Sequence, residues 1–204
     1  MYVHLGNEVS VRRENIVGIF DIENTTTGKN TNHLLERATR EGRVVNVSYE
    51  MPKSFVICME TLDITRALMG IGATGIMQRC VDEAVAYSKQ RITFGQPIGK
   101  FEAIQFMIAD MEIKTETARQ MSLHALKLQE EGLPYGKESA IAKCYGGDIA
   151  VQVALDAIQI LGGYGYSREY PVEKLLRDAK IFQIYEGTNQ VQRMVISRAV
   201  MGRF

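Results

Sequence analysis

The sequence predicts a mainly α fold: an antiparallel four-helix bundle over residues 59–204, preceded by a small α+β unit over residues 1–58. Three observations predict it. Up to Cys58 the apolar residues come in short β-branched runs bounded by Gly, Asn or Pro, the pattern of strands. After Cys58 the apolar period lengthens to about 3.6 residues, as in helices. The helical segments are long and their connections short, which folds neighbouring helices antiparallel.

Strands are expected at Tyr2-Val3-His4-Leu5, Glu8-Val9-Ser10-Val11, Ile16 to Ile22, Val44 to Tyr49 and Ser54 to Cys58, and nowhere beyond residue 60. One helix is expected among them, capped by Asn30-Thr31, carried by Leu34, Leu35 and Ala38, and stopped at Gly42. The last strand leads into Met59 without a Gly/Ser/Pro-rich linker. The first bundle helix is read from Asp63 to Gln90, with Leu68, Ile71, Gly72, Gly75, Ile76 and Val85 on one face. A second begins near Lys100, is roughly 45 Å long at 1.5 Å per residue, and ends at Gly132-Leu133-Pro134. Its stripe is Ile104, Met107, Ile108, Met111, Ile113, Ala118, Met121 and Leu128. A third runs from Lys137 through Ile141, Cys144, Ile149, Val153, Ala157 and Ile160 to Gly162-Gly163, a pair suited to a left-handed C-cap. Pro171 opens a fourth, being favourable in a first helical turn, and Thr188 caps a fifth.

Composition excludes several function classes. Lys plus Arg, 24 residues, balance 24 Asp plus Glu, which argues against bulk nucleic acid or an anionic membrane as the dominant partner. Cys58, Cys80 and Cys144 are odd in number, widely spaced and set among apolar residues. They read as reduced thiols of a cytoplasmic protein, with neither a disulfide frame nor a metal site. No apolar run reaches the ~20 residues that span a bilayer, and the start lacks the regions of a signal peptide.

Three segments could carry chemistry. Arg91-Ile92-Thr93-Phe94-Gly95-Gln96-Pro97-Ile98 joins a guanidinium, a hydroxyl and an aromatic face at a sharp turn; judged alone it reads first as an Arg satisfying a helix end followed by ordinary turn chemistry, and otherwise as a holder of a phosphate or ring system. Gln159 to Tyr166 ends a helix in glycines that permit close approach of another molecule, or simply cap it. It is not a dinucleotide-binding fingerprint, because it follows a helix rather than a strand. In Ile184-Tyr185-Glu186-Gly187-Thr188-Asn189-Gln190 a carboxylate stands at the end of an apolar approach and just before a helix. It either favours the helix N-terminus electrostatically or, in a dry pocket, serves as a general base.

The order of the motifs adds more. Leu62-Asp63-Ile64-Thr65-Arg66, Arg91 to Ile98, Ile104-Gln105-Phe106, Ala109-Asp110-Met111, Gln159 to Gly163, Tyr170-Pro171-Val172-Glu173-Lys174, Arg177 to Ile181, Ile184 to Gln190 and Gln192-Arg193 together resemble the C-terminal domain of the acyl-CoA dehydrogenases. The resemblance covers residues 59–204. It implies α,β-dehydrogenation of an acyl-CoA thioester with flavin adenine dinucleotide (FAD), an electron-transferring flavoprotein as acceptor, and a homodimer or homotetramer. By the same resemblance Glu186 removes the α-proton while its backbone N–H helps hold the thioester oxygen. Arg91, Thr93, Gln159, Gly162 and Gly163 would contact the flavin dinucleotide of a neighbouring subunit, and Thr188 and Gln190 the flavin of their own. Phe101, Glu102, Ile160, Leu161 and Asn189 complete the implied cofactor set. Asp63 and Arg66 would meet the CoA portion, Tyr185 would line the acyl pocket, and Gly187 would leave room for the chain. Glu102 departs from the family, which often has glutamine there; a carboxylate lacks the amide's donors and adds negative charge near a dianionic cofactor.

The family's N-terminal helical and middle β-domains have no counterpart in residues 1–58, so the expectation is an incomplete enzyme. Residues 1–58 instead resemble the small bacterial family of extracellular matrix regulatory protein B, through Met1 to Gly6, Ile16 to Asp21, Gly42 to Tyr49 and Pro52 to Val56. A related regulator family binds DNA, which makes Arg12, Arg13, Lys29, Arg43 and Lys53 candidate phosphate contacts. Seven basic residues in the segment face seven acidic ones, the balance of a solvated mixed surface rather than a nucleic-acid footprint. The alternative function is therefore a regulatory module in residues 1–58, with the bundle as its oligomerisation domain.

Overall fold

The computed structural model describes residues 2–6, 9–12, 16–21, 29–40, 44 and 54–202. It divides into two compact units, Met1–Leu62 and Asp63–Phe204. In the first, β1 (Tyr2–Gly6) pairs antiparallel with β2 (Val9–Arg12), and β3 (Ile16–Asp21) pairs antiparallel with β4 (Ser54–Cys58). Both ladders carry a register shift, between His4 and Gly6 and between Ile16 and Gly18. Helix α1 (Lys29–Arg40) starts one residue before the expected cap, so Asn30 and Thr31 lie in its first turn. Of the strand expected over 44–49, Val44 is in no strand and the rest lies outside the described residues, as do Glu8, Ile22 and Gly42.

Helix α2 (Met59–Gln90) begins directly after β4, four residues before Asp63, because Met59-Glu60-Thr61-Leu62 contains no helix breaker. It is followed by α3 (Glu102–Glu130), α4 (Gly136–Leu161), α5 (Val172–Ile181) and α6 (Asn189–Met201). One feature departs from the expectation of strands only before residue 60: Ile92–Thr93 (β5) and Gln96–Pro97 (β6) form a two-residue antiparallel ladder. Phe94 and Gly95 between them take φ values of 52° and 78°, the two positive dihedrals a tight hairpin turn requires. A 3-10 turn at Ile98–Lys100 then delays α3 to Glu102.

Helix α4 is the centre of the second unit, packed against α3, α5 and α6. Its small residues Ala140, Gly146, Gly147, Ala150 and Ala154 are buried together with Val153, Ala157 and Ile160, so neighbours approach on several sides. Helices α2 and α4 run parallel: Asp63 lies beside Gly136 at their starts, while Tyr87, Arg91, Ile160 and Gly163 share a cleft at their ends. The α3 connection is short, so α3 runs antiparallel to both. The core contains Ala73, Met77, Cys80, Val81, Ala84, Met111, Ala118, Val153 and Leu161. Two expected faces shift. On α2, Leu68, Gly72 and Gly75 are exposed and the buried line is Ala67, Gly70, Ala73, Met77, Cys80 and Ala84; on α3, Ile113 is 63% exposed while Thr115 and Ser122 are buried. Both hydroxyls bond the carbonyl four residues earlier, Met111 and Ala118, which satisfies them inside the core.

Helix ends follow the predicted residues. Thr188 caps α6, its side chain accepting from the Val191 N–H at 3.3 Å. Gly162 ends α4 with φ 62° and ψ −136°, a positive-φ but extended conformation that only glycine adopts without cost, rather than the left-handed helical one expected. Pro171 stands just before α5, and its carbonyl accepts the Leu175 N–H at 3.0 Å. Among the described residues no helix is long and apolar enough to cross a membrane.

Candidate active site

The segment between α5 and α6 is closed by the Asn189 N–H donating to the Gln183 carbonyl at 3.0 Å. Within it Glu186 has φ 55° and Gly187 φ 83°. A non-glycine residue in the left-handed region stores about 1–3 kcal/mol and persists only where its surroundings hold it. Here the surroundings are explicit. The fully buried Gln192 donates through Nε2 to the carbonyls of Glu186 (3.2 Å) and Gly187 (3.0 Å), and the buried Lys143 Nζ donates to the Gly187 carbonyl at 2.6 Å. Both carbonyls are thus drawn into the protein. The N–H groups of Glu186, Gly187 and Thr188 donate to no backbone carbonyl among the described residues.

The Glu186 carboxylate is half-buried and reaches the start of α2, where Thr65 Oγ1 donates to its Oε2 at 2.9 Å. The next residue, buried Arg66, is bonded to Asp63 Oδ1 one turn earlier at 2.7 Å. Burial depresses the Arg66 guanidinium below its ordinary value, against the opposing pull of Asp63 and Glu186. Tyr185 packs edge-on against Phe182, with ring centres 5.3 Å apart. Burial, and then the charge of Glu186, raise the Tyr185 phenol.

Beneath the turn lies a polar network. Lys143 Nζ donates to Asn189 Oδ1 (2.8 Å), and Asn189 Nδ2 donates to the Cys144 carbonyl (3.0 Å) and Asp148 Oδ1 (2.8 Å). Asp148 also accepts from Gln183 at 2.8 Å and from Arg193 at 2.5 Å. Burial pushes the Asp148 carboxyl up, but the bonds from Arg193, Asn189 and Gln183 outweigh it and hold it below the usual range. Desolvation lowers the Lys143 ammonium to about 8, despite nearby Cys144, Asp148 and Glu186.

A second constellation occupies the other end of α2 and α4. A cleft of about 570 Å³ is lined by Arg91, Thr93, Ile160, Leu161, Gly162 and Gly163, with Tyr87 and Tyr164 on its walls. The Arg91 guanidinium lies 5.9 Å from the Tyr164 ring centre, and Tyr87, Tyr164 and Tyr170 form a cluster with centres 5.7–6.2 Å apart, Tyr170 edge-on to the other two. A side chain at Gly162 or Gly163 would meet nothing within 4 Å, so open space adjoins the backbone there. A cation, a hydroxyl, bare backbone and aromatic faces together fit the phosphates and rings of a dinucleotide.

A model of the C-terminal domain of acyl-CoA dehydrogenases matches residues 55–201. The chain belongs to the acyl-CoA dehydrogenase family. An acyl-CoA dehydrogenase of Bacillus subtilis is 49% identical over 148 residues, covering 72% of this chain and 39% of its own length. Butyryl-CoA dehydrogenase from Megasphaera elsdenii superposes with a TM-score of 0.69 at 48% identity, over 70% of this chain and 37% of that one. A chain from a structure of the electron transferring flavoprotein of Acidaminococcus fermentans gives 0.70 at 52% identity, over 71% and 38%. This chain therefore spans about two fifths of the length of the acyl-CoA dehydrogenase relatives it matches.

Within this acyl-CoA dehydrogenase domain the expected residues fall into two groups. Asp63, Arg66, Tyr185, Glu186, Gly187, Thr188, Asn189 and Gln190 gather where α2 starts and α6 begins. Arg91, Thr93, Ile160, Leu161, Gly162 and Gly163 line the far cleft. Phe101 stands edge-on to the nearly fully exposed Phe94, Glu102 is exposed in the first turn of α3, and exposed Gln159 sits on the last turn of α4 without lining that cleft. Asn189 is buried and spends its whole amide on Lys143, Cys144 and Asp148, whereas Gln190 is exposed. Lys143 and Asp148 escaped sequence reasoning, and Thr65 and Gln192 stood in family motifs without a role. For Lys143 a signal existed: a lysine on the same helical line as Ser139, Gly146 and Ala150 is a charge placed on a buried face.

Proposed function

We propose that this chain carries the catalytic base and part of two flavin sites of an acyl-CoA dehydrogenase. Family membership supports the reaction class, and the forced backbone of Glu186, with its carboxylate beside Thr65, is the observation that carries the role of Glu186. Bound flavin supplies the hydride acceptor for the β-carbon. Glu186 takes the α-proton, and the α,β-double bond forms only when the β-hydrogen also leaves as hydride to that acceptor. Thr65, donating to Oε2, orients the carboxylate that receives the proton. The Glu186 N–H, left without a backbone partner, donates to the thioester oxygen as negative charge develops there.

Thr65 and Arg91, the residue directly after α2, are 26 positions apart, about 39 Å at 1.5 Å per residue. One dinucleotide at either end does not reach the other. This supports the reading that Arg91, Thr93, Gly162 and Gly163 serve the FAD of a neighbouring subunit, while Thr188 and Gln190 serve their own. An acyl-CoA substrate, an electron-transferring flavoprotein as acceptor, and a homodimer or homotetramer follow from the same family reading; the Acidaminococcus likeness supports the acceptor. The buried free thiols Cys80 and Cys144 agree with a cytoplasmic setting. Residues 1–58 are read as a separate module of the matrix-regulator type, for which the two short ladders and α1 are the supporting structure.

The test is to join residues 59–204 to the flavin-holding half of a relative and assay with a dye acceptor. Glu186→Gln keeps shape and backbone donor but removes the base. It is expected to lower turnover by more than the ~10²–10⁴ typical of assisting groups, because the α-C–H is weakly acidic. A Glu186→Gln graft within tenfold of the unmutated graft would remove Glu186 from the mechanism.

A further inference from the structure

Lys143 is a long cationic side chain sealed inside a small-residue helix, and the reaction just proposed makes no direct use of it. Its exposure is 1%, and both of its bonds run to the segment that bears Glu186: the Gly187 carbonyl at 2.6 Å and Asn189 Oδ1 at 2.8 Å. An ammonium kept out of water is costly unless its bonds are well made. The carbonyl it grips belongs to Gly187, the residue directly after Glu186, whose positive φ is the strained one in the pair. Gln192 binds the same carbonyl from α6 but is neutral, and its Oε1 has no partner among the described residues, so the charged grip comes from α4.

We propose that Lys143 is a positioning residue for Glu186: its ammonium holds the Gly187 carbonyl inward and so keeps the Glu186–Gly187 turn in the conformation that presents the carboxylate and the Glu186 N–H. This rests on reading Glu186 as the base. The charged and titratable groups that face Lys143 are Cys144 and Asp148 on its own helix, Arg66 from α2 and Glu186 from the turn; Arg193 of α6 acts through Asp148. Loss of the Lys143 proton turns a charge-assisted bond into a weaker neutral one. The peptide that feels this first is Gly187–Thr188, so the Thr188 amide is the reporter.

The experiment follows the ¹³C,¹⁵N-labelled full chain by NMR from pH 6 to 10, reading the Thr188 amide nitrogen alongside the Lys143 Cε signal, with neither flavin nor thioester present. The Thr188 signal is expected to move with the Lys143 signal, with a midpoint near 8, and the movement is expected to vanish in Lys143→Met and Lys143→Gln. Cys144, whose thiol is raised by burial, is the competing titrant, so Cys144→Ala should keep the movement. A Thr188 signal that stays fixed while Lys143 titrates overturns the proposal, as does one that titrates unchanged in either Lys143 variant or disappears with Cys144→Ala. If the Lys143 variants lose their helical circular dichroism, the unmutated titration and Cys144→Ala still decide. Because nothing in this measurement turns over, its failure is distinct from a failure of the dehydrogenase reading.

Discussion

Gly187 shows how closely the turn is constrained at the scale of one residue. Its φ is 83°, and a Cβ there would lie 2.8 Å from Gln192 Nε2, the atom that bonds the two inward carbonyls. Gly187→Ala therefore strains the backbone and displaces a buried donor at once. The expected loss is about 1–3 kcal/mol in urea unfolding, with an unchanged slope. An unaltered midpoint would show that the turn yields without cost. Glu186 accepts a similar backbone strain although a glycine there would relieve it, which is the pattern of a residue kept for its side chain. Cys80 illustrates the opposite case: burial, with Glu83 nearby, pushes its thiol up to about 12, so it stays protonated and inert.

Among the elements, α4 organises the second unit, because its small residues let α3, α5 and α6 approach. Asp148 on α4 is the tie, accepting from Gln183 after α5 and from Asn189 and Arg193 in α6. Its carboxyl is held below the usual range, so the stability it contributes is fully present above its unfolded value of roughly 3.9 and is lost as the pH falls through the lower folded value. Asp148→Asn is expected to destabilise the chain at neutral pH by about 1–3 kcal/mol, the cost of a broken charged hydrogen bond. The gap to the unmutated chain should narrow below about pH 3.9. Thermal melts of both proteins from pH 7 to 3 check this, and a pH-independent gap would place the stabilisation elsewhere.

For the whole molecule, the two constellations at opposite ends of α2 make a prediction about assembly. If each flavin site takes Glu186 from one subunit and Arg91 from another, two defective chains can repair each other. In the completed enzyme, Arg91→Ala alone should lose cofactor and recover partly with excess flavin, and Glu186→Gln alone should be inactive. Mixed assemblies of the two should regain turnover at sites that combine the intact Glu186 of one chain with the intact Arg91 of the other. Activity no higher than that of the separate variants would place both residues in one subunit's site.

Helix positions, the cap at Thr188, the helix start near Pro171, and the motifs that mark the family were legible in the residue order, because local periodicity and turn chemistry act within a few residues. The buried faces of α2 and α3 were less so: an amphipathic stripe tells which residues prefer burial, but the neighbour that covers them is set by long-range packing, and Ile113 and Leu68 remain exposed. The β5–β6 ladder was missed because two residues are too few to show a period. What sequence alone determined about Glu186 was a carboxylate between an apolar approach and a helix start. Only the tertiary structure placed Thr65, Lys143 and Gln192 around it, because those side chains come from α2, α4 and α6, and only their convergence can hold a glutamate at positive φ.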